Sequence, residues 1–355
     1  MAFFNTSTKP FLIAGPCSAE SREQIIATAQ ALQSLPVKLF RAGVWKPRTR
    51  PGHFEGMGEA ALSWLQEAKA LTGLPMSIEV AEPAHIELAL KYGIDVLWIG
   101  ARTTVNPFQV QRLADALKGV SIPVMVKNPV NPDADLWLGA IERIEQAGVA
   151  EVAAIHRGFS SYKAASAYRN TPNWPVPIEL RRRRPELAII CDPSHITGRR
   201  DLVAEVAQKA MDMHFDGLMI ETHLHPDDAL SDAAQQITPD ALKTLLDHLI
   251  IRQEHPLADN CEILESLRLQ MDSLDAEIID LLARRMELSD RMGGVKKNLG
   301  ITAYQPDRWR DIVTTRGGRA GQLGMDVDFI VSLYEKIHHE SVKRQLAILQ
   351  IEQEL

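Results

Sequence analysis

A series of short apolar runs in this 355-residue chain each leads into a side chain able to do chemistry. In order they deliver Cys17, then Arg41 with Lys46 and Arg48, then Glu79, Arg102, Lys127, Arg157, Asp192 with His195, and Glu221 with His223. One charged residue at the end of an apolar run is ordinarily just solvated. Eight in phase share one position relative to their runs, and that position points them at a single mouth. The cationic members suit phosphate and carboxylate oxygens, which they hold through charge-assisted and often bidentate hydrogen bonds. So many cations around one cavity repel each other unless dianionic ligands fill it, which points to phosphorylated substrates. Cys17, His195, Glu221 and Asp232 make a second group, of mixed sulfur, nitrogen and oxygen donors, suited to a divalent transition metal. Their wide separations carry no ligand-spacing signal. A lone Cys is more often core, and Asp232 could simply cap a helix.

The elements that must position these groups are legible in the periodicity. The runs 11–14, 38–40, 76–80, 96–99, 124–126, 152–155, 187–190 and 218–220 are short, apolar and rich in β-branched residues. Each is followed by a helix-length segment, so they read as parallel strands with crossover helices. Eight such units close a barrel, so the expected fold is an α/β, (β/α)8 TIM barrel. An open doubly wound sheet would use the same units, but no Gly-rich dinucleotide fingerprint follows the first strand.

After Leu249 the period changes. Residues 1–252 are assigned to the barrel and 253–261, polar and carrying Pro256, to a linker; residues 262–355 form a small all-α domain. Ile263 to Lys297 has no proline and an apolar stripe through Leu267, Met271, Leu274, Ile278, Leu281, Leu282, Leu288 and Met292. A second long helix is expected over Asp326 to Gln350, with a shorter one starting near Pro306. Arg285 and Lys296 lie eleven residues apart, on nearly one helix face. Ser341 and Gln345 share a face with Ile330, Tyr334 and Ile337; polar groups there line a ligand cavity or form a satisfied polar core.

Local strings sharpen both halves. GPCS at Gly15–Ser18, KPRT at Lys46–Thr49, GAR at Gly100–Arg102, DPSH at Asp192–His195 and ALSDAAQQ at Ala229–Gln236 occur in that order. Together they resemble the 3-deoxy-D-arabino-heptulosonate 7-phosphate (DAHP) synthases, in the short subfamily without long insertions. The resemblance implies condensation of phosphoenolpyruvate with erythrose 4-phosphate at a divalent metal, with manganese the expected ion. It makes Cys17, His195, Glu221 and Asp232 the metal ligands. Arg41, Lys127, Arg102 and Arg157 become the grip on phosphoenolpyruvate, Arg48 and Thr49 the binders of the sugar phosphate, and Lys46 the neighbour of its aldehyde. Within this resemblance, VKNP around Lys127 lacks the usual glycine, and His156 rather than an acid precedes Arg157.

In the second half, the string from Leu267 to Leu288, then Lys296, DRWRDI at Asp307–Ile312 and ESVKRQ at Glu340–Gln345, resemble the all-helical chorismate mutases. Those enzymes rearrange chorismate to prephenate, and the resemblance places Arg268, Arg285, Lys296, Arg308, Ser341 and Gln345 in the active site. Gln305 and Trp309 stand where the family often has aspartate and glutamate. Arg268 and Arg285 are seventeen residues apart, hence roughly 25 Å along one helix and about 100° around it. Both can serve one small ligand only across two chains, so a homodimer through the helical domain is expected. The helical domain is also expected to regulate the barrel by binding chorismate or prephenate. The alternative is a 3-deoxy-octulosonate 8-phosphate synthase-like barrel with a purely regulatory helical module. KANR-type strings, rather than KPRT, mark those enzymes.

The remaining signals are discounted or exclude classes. Net charge is −7 and no apolar run approaches a membrane span, so neither nucleic acid nor membrane is expected as a partner. Three widely spaced cysteines make no disulfide framework and fit a reducing cytoplasm. Cys191 reads as core, and Arg181–Arg184 as a solvated helix end. His338 and His339 are consecutive on a helix and cannot form a metal pair. His223 and His225 are possible neighbours of the metal ligands, His223 the better placed.

Overall fold

The computed structural model describes residues 3–4, 10–46, 52–160, 167–252 and 261–350. The chain divides after Glu254 into two compact units.

The first unit is a closed barrel of eight parallel strands in sequential order. These are β1 (Phe11–Gly15), β2 (Leu39–Arg41), β3 (Met76–Val80), β4 (Val96–Ile99), β5 (Val124–Lys127), β6 (Val152–His156), β7 (Ala188–Cys191) and β8 (Gly217–Glu221). Closure is made by β1 against β8, in register from Phe11 beside Gly217 to Gly15 beside Glu221. The unit's helices are α1 (Arg22–Gln33), α2 (Glu59–Thr72), α3 (Pro83–Lys91), α4 (Ala101–Thr104), α5 (Pro107–Leu117), α6 (Ala134–Gln146), α7 (Pro175–Arg183), α8 (Pro193–Thr197), α9 (Val203–Asp212) and α10 (Pro239–His248).

Strand parity builds two cores. Phe11, Ile13, Leu39, Val96, Trp98, Met125, Ala153, Ile155, Ala188, Ile190 and Met219 pack together inside the barrel. Their alternates, among them Leu12, Phe40, Leu97, Val126, Ile189 and Leu218, pack outward on the helices. One more step of the inward parity reaches Arg41 after Leu39, Lys127 after Met125, Arg157 after Ile155, Asp192 after Ile190 and Glu221 after Met219. The same alternation that fills the barrel with apolar side chains therefore crowns it with charged ones. Cys191 is outward core, as expected. Arg181–Arg184 ties α7 to its surroundings through Asp216, Glu179, Asp135, Glu145 and Glu186.

The second unit comprises α11 (Cys261–Leu299), α12 (Pro306–Gln322) and α13 (Val327–Gln350). The sequence boundary drawn at 253–261 falls almost wholly outside the described residues. At Gly293 a Cβ would meet Ile348 at 3.1 Å and the Gln345 backbone at 3.3 Å, so this glycine lets α11 and α13 approach closely. The expected apolar stripe of α11 is present but left uncovered by the described residues of its own unit: Leu267, Met271, Leu274, Ile278, Leu281 and Leu288 are all exposed, Met271 by 64%. Among the described residues no helix is long and apolar enough to cross a membrane.

Candidate functional sites

At the C-terminal end of the barrel the cations and carboxylates interleave. Trp98, fully buried, forms the floor; its Nε1 donates to Glu79 Oε2 at 3.2 Å. The Arg41 guanidinium lies 5.0 Å and the Lys127 ammonium 5.9 Å from its ring centroid. Arg41 Nη2 sits 3.1 Å from Glu221 Oε1 and donates to the Cys17 carbonyl at 3.2 Å. Lys127 Nζ pairs with Asp192 Oδ2 at 2.9 Å. The cationic ring is thus partly neutralised by buried carboxylates, a relief of repulsion that sequence reasoning assigned to substrates alone. Arg157, burial pushing its guanidinium down to about 10, donates to Asn170 Oδ1 at 2.7 Å. Above these lies a cavity of about 430 Å³ whose lining includes Arg102, Lys127, Arg157, Arg169, His195 and Asp232. Arg41 lies beneath it, 1% exposed, with Nε and Nη1 buried and without a hydrogen-bond partner.

The mixed donor group gathers beside this cavity. Ligand atoms of Cys17, Glu221 and Asp232 all lie within 4.8 Å of one another. His195 approaches from the Glu221 side, its Nε2 3.7 Å from Glu221 Oε1, while its Nδ1 lies 2.8 Å from Asp192 Oδ2. Asp192 also caps α8, accepting from the His195 backbone N–H at 3.1 Å, so one carboxylate fixes both the ring and the turn that carries it. Asp232 caps nothing: its side chain turns to Arg169 at 3.0 Å and to the Cys17 thiol, which donates at 3.6 Å. Its backbone is held at φ 48°, a left-handed conformation that is strained for a non-glycine residue. The Cys17 sulfur faces Lys46 Nζ at 3.3 Å rather than apolar neighbours. Burial, then the nearby Glu221, pushes the Cys17 thiol up to about 11. His195 and Arg41, against the opposing effect of burial, hold Glu221 below its ordinary value.

The donor set fits a divalent ion. Glu221 Oε1 is buried without a well-formed hydrogen bond, the Asp232 carboxylate and the Cys17 sulfur lie close to it, the imidazole edge approaches it at 3.7 Å, and the thiol would become a good donor beside a cation. Sequence reasoning missed Gln235, whose amide donates to Glu221 at 2.7 Å, and Arg169, which donates to Gln235 at 2.8 Å. Gln235 lay inside the ALSDAAQQ string, but nothing in its type marked it. His223 Nδ1 accepts from the His225 backbone N–H at 3.0 Å. Arg48 and Thr49 lie outside the described residues.

The helical unit has its own cavity of about 440 Å³, whose lining includes Arg285, Lys296, Arg308, Arg316, Ser341 and Gln345. Arg285 Nη1 donates to Ser341 Oγ at 2.6 Å, and Gln345 Nε2 donates to Ser289 Oγ at 2.9 Å. Gln345 Oε1 is buried without a partner. Lys296 Nζ donates to the Ala303 carbonyl at 2.6 Å. Among the described residues no carboxylate lines this cavity. Arg268 is not part of it; exposed, it pairs with Glu265 at 2.5 Å one turn earlier on α11.

Residues 5–256 match the DAHP synthetase I family, and residues 267–346 match chorismate mutase type II. The chain belongs to the DAHP synthetase I family. It joins a DAHP synthase domain to a chorismate mutase domain, the pair of domains for both enzyme activities. Phospho-2-dehydro-3-deoxyheptonate aldolase of Thermotoga maritima is 33% identical over 238 residues, 67% of this chain and 68% of that protein. A 2-dehydro-3-deoxyphosphooctonate aldolase of Wolinella succinogenes is 28% identical over 265 residues, 68% of this chain and 99% of its own. The crystal structure of the T. maritima DAHP synthase has a TM-score of 0.61 at 32% identity, covering 67% of each chain. A truncated form of that synthase gives 0.58 at 30% identity, covering 67% of this chain and 84% of its own. In the synthase domain Cys17, Glu221 and Asp232 stand together, His195 joins them through Glu221, and Lys46 lies against the thiol. In the mutase domain Arg285, Lys296, Arg308, Ser341 and Gln345 share one pocket and Arg268 stands apart from it.

Proposed function

We infer that the synthase domain joins C3 of phosphoenolpyruvate to C1 of erythrose 4-phosphate, water adding at C2 before phosphate leaves. The observation that carries this is the meeting of a thiol, two carboxylates and an imidazole edge beside a cavity walled by arginine and lysine. Cys17, His195, Glu221 and Asp232 would hold a divalent ion, manganese being favoured by hard oxygens beside a thiolate. Bound there, the ion supplies Lewis-acid polarisation of the aldehyde oxygen. Arg102 and Arg157 grip the phosphate of phosphoenolpyruvate and Lys127 helps hold it in the cavity. Arg41 reaches it from below, with two nitrogens that have no acceptor among the described residues. Lys46, 3.3 Å from the Cys17 sulfur, protonates the forming alkoxide or stabilises its charge. Arg48 and Thr49 take the phosphate of the sugar. Assaying erythrose 4-phosphate against arabinose 5-phosphate tests the substrate: preference for the five-carbon sugar would move the barrel to the octulosonate class.

The mutase domain converts chorismate to prephenate by binding its two carboxylates and ether oxygen in the reactive diaxial shape, without a covalent step. Arg285, Lys296, Arg308 and Gln345 act on the reacting ligand and Ser341 orients Arg285. Arg268 completes the pocket of a second copy. The bare apolar stripe of α11, which carries Arg268, supports a homodimer through this domain. Ligand occupancy of the mutase pocket is read as a regulator of the synthase; removing the chain after Gln253 is then expected to relieve inhibition by prephenate. The odd cysteine count and the free thiols of Cys17 and Cys191 favour a reducing cytoplasm.

A further inference from the structure

The mutase pocket contains an imidazole to which the family resemblance gives no role. His338 lies on α13, three residues before Ser341, and lines the cavity beside Tyr334 and Ser341. Its ring stacks on Trp309 of α12, with centroids 4.7 Å apart and planes 19° from parallel; the Tyr304 ring is tilted against it at 6.0 Å. Stacking fixes the plane of the ring and leaves its edge to the cavity. His338 Nε2 is buried and has no hydrogen-bond partner among the described residues. A buried polar nitrogen left so is unfavourable, and a ligand that supplies the partner relieves it.

What faces that nitrogen decides which partner suits it. Around the cavity stand Arg285 and Lys296 from α11, and Arg308 and Arg316 from α12, with Gln305 preceding them and Tyr334 and Gln345 on α13 itself. The four cations are donors only, and among the described residues no carboxylate lines the cavity to accept; the Asp311 that pairs with Arg308 lies outside the lining. Burial first, then Arg285 and Lys296, hold the imidazole below its ordinary value, so the neutral ring carries one N–H. A dicarboxylate entering this cavity brings the acceptors that the pocket lacks. Trp309 occupies a position where a glutamate would place negative charge beside that dianion; here the stack brings a neutral donor instead.

We propose that His338 is a substrate-contacting residue of the mutase domain: its Nε2–H donates to an oxygen of the bound dianion, and Trp309 is the positioning residue that holds the imidazole plane. This rests on the mutase reading of the domain, and the two are separable by experiment. In the intact chain, His338→Phe keeps an aromatic ring for the stack but removes the donor. His338→Gln restores an N–H at similar reach, and Trp309→Leu removes the stack alone. Mutase kcat and KM are measured with chorismate, alongside calorimetric binding of chorismate, with the synthase rate and a thermal melt as controls for folding. His338→Phe is expected to lose about tenfold or more in kcat/KM, His338→Gln to recover most of it, and Trp309→Leu to add nothing to the loss in a double variant. A His338→Phe chain within twofold of the unaltered one, or His338→Gln as impaired as His338→Phe, overturns the role of His338. An additive Trp309→Leu overturns the positioning role. An unaltered chain that binds chorismate without turnover overturns the mutase reading instead; about tenfold weaker binding by His338→Phe then still supports the contact, and unchanged binding removes it.

Discussion

Arg41 is the residue whose replacement tests most directly how the synthase site is held together. It is 1% exposed, Glu221 is 0% exposed, and their closest atoms are 3.1 Å apart. At that separation and an effective dielectric near 20, the gross attraction is roughly 5 kcal/mol. Arg41→Met keeps much of the volume and also relieves the burial of a guanidinium, two of whose nitrogens have no partner. Glu221 keeps the Gln235 amide at 2.7 Å and the His195 edge at 3.7 Å, so it is not wholly abandoned. The net loss should therefore lie at the lower end of that seen for broken buried pairs, about 3 kcal/mol. For a domain of this size that corresponds to a fall of roughly 6–12 °C in Tm. Five of the six tryptophans (Trp45, Trp64, Trp98, Trp137 and Trp174) belong to the barrel, so tryptophan fluorescence reads its unfolding with little contribution from the helices. Adding Glu221→Gln to Arg41→Met removes the stranded charge, and the double variant should be more stable than Arg41→Met alone. The pH dependence has a definite sign. In the unaltered chain Glu221 is held below its ordinary 4.5, so it contributes stability above that value and loses it as pH falls. Without Arg41 the buried carboxyl rises, its charge opposes folding at neutral pH, and protonation relieves it. The gap between variant and parent should narrow as pH falls from 7 towards 5. A loss under about 1 kcal/mol, or a gap that widens on acidification, would refute the reasoning.

Cys17→Ala is expected to abolish condensation while leaving the thermal melt near that of the parent, measured as phosphoenolpyruvate consumption with and without added manganese; full activity after chelation would remove the metal role. Arg285→Ala should lose mutase turnover by about a hundredfold or more, with the synthase rate unchanged in the absence of prephenate. If the pocket is shared between two chains, mixing inactive Arg268→Ala and Arg285→Ala proteins restores about a quarter of the parental mutase rate, because half the dimers carry one intact site of two. No recovery after subunit exchange would argue for a site complete within one chain.

The barrel was legible because its cue is repetitive. Eight apolar runs separated by helix-length segments leave little choice of fold, and inward parity then places Arg41, Lys127, Arg157 and Glu221 at one end. Cys17, Glu221 and Asp232 were legible as a set only through local strings, since 204 residues separate Cys17 from Glu221. Folding converts that separation into contact through the closure of β1 against β8. Residues that act through amides stayed hidden: Gln235 and Asn170 are ordinary polar side chains until the loops that hold them meet His195 and Glu221. The α11 stripe shows the opposite failure. Its heptad-like spacing predicts burial, but a period states only that a face is apolar, not which chain covers it.

The two pockets handle the same electrostatic problem differently, and the difference follows from their depth. In the barrel, Arg41, Lys127 and Arg169 each lie beside a carboxylate, Glu221, Asp192 and Asp232 in turn. Arg41 and Lys127, buried that deeply, would be costly before substrate arrives, so the protein carries its own counter-charges. The lining of the mutase pocket has four cations and, among the described residues, no carboxylate. The pocket can leave Arg285 without a carboxylate in the lining because that side chain remains partly open to water, and exposed Arg308 turns to Asp311 on its own helix. A dianion entering the barrel must therefore compete with resident carboxylates, whereas one entering the helical pocket meets a lining with no carboxylate among the described residues, Arg308 alone of its cations being drawn to an acid outside it, Asp311. Chorismate binding in the helical pocket should accordingly weaken more steeply with added salt than phosphoenolpyruvate binding in the barrel. Titrating both ligands across a series of ionic strengths checks it, and equal slopes would mean that the buried carboxylates of the barrel do not set its charge balance.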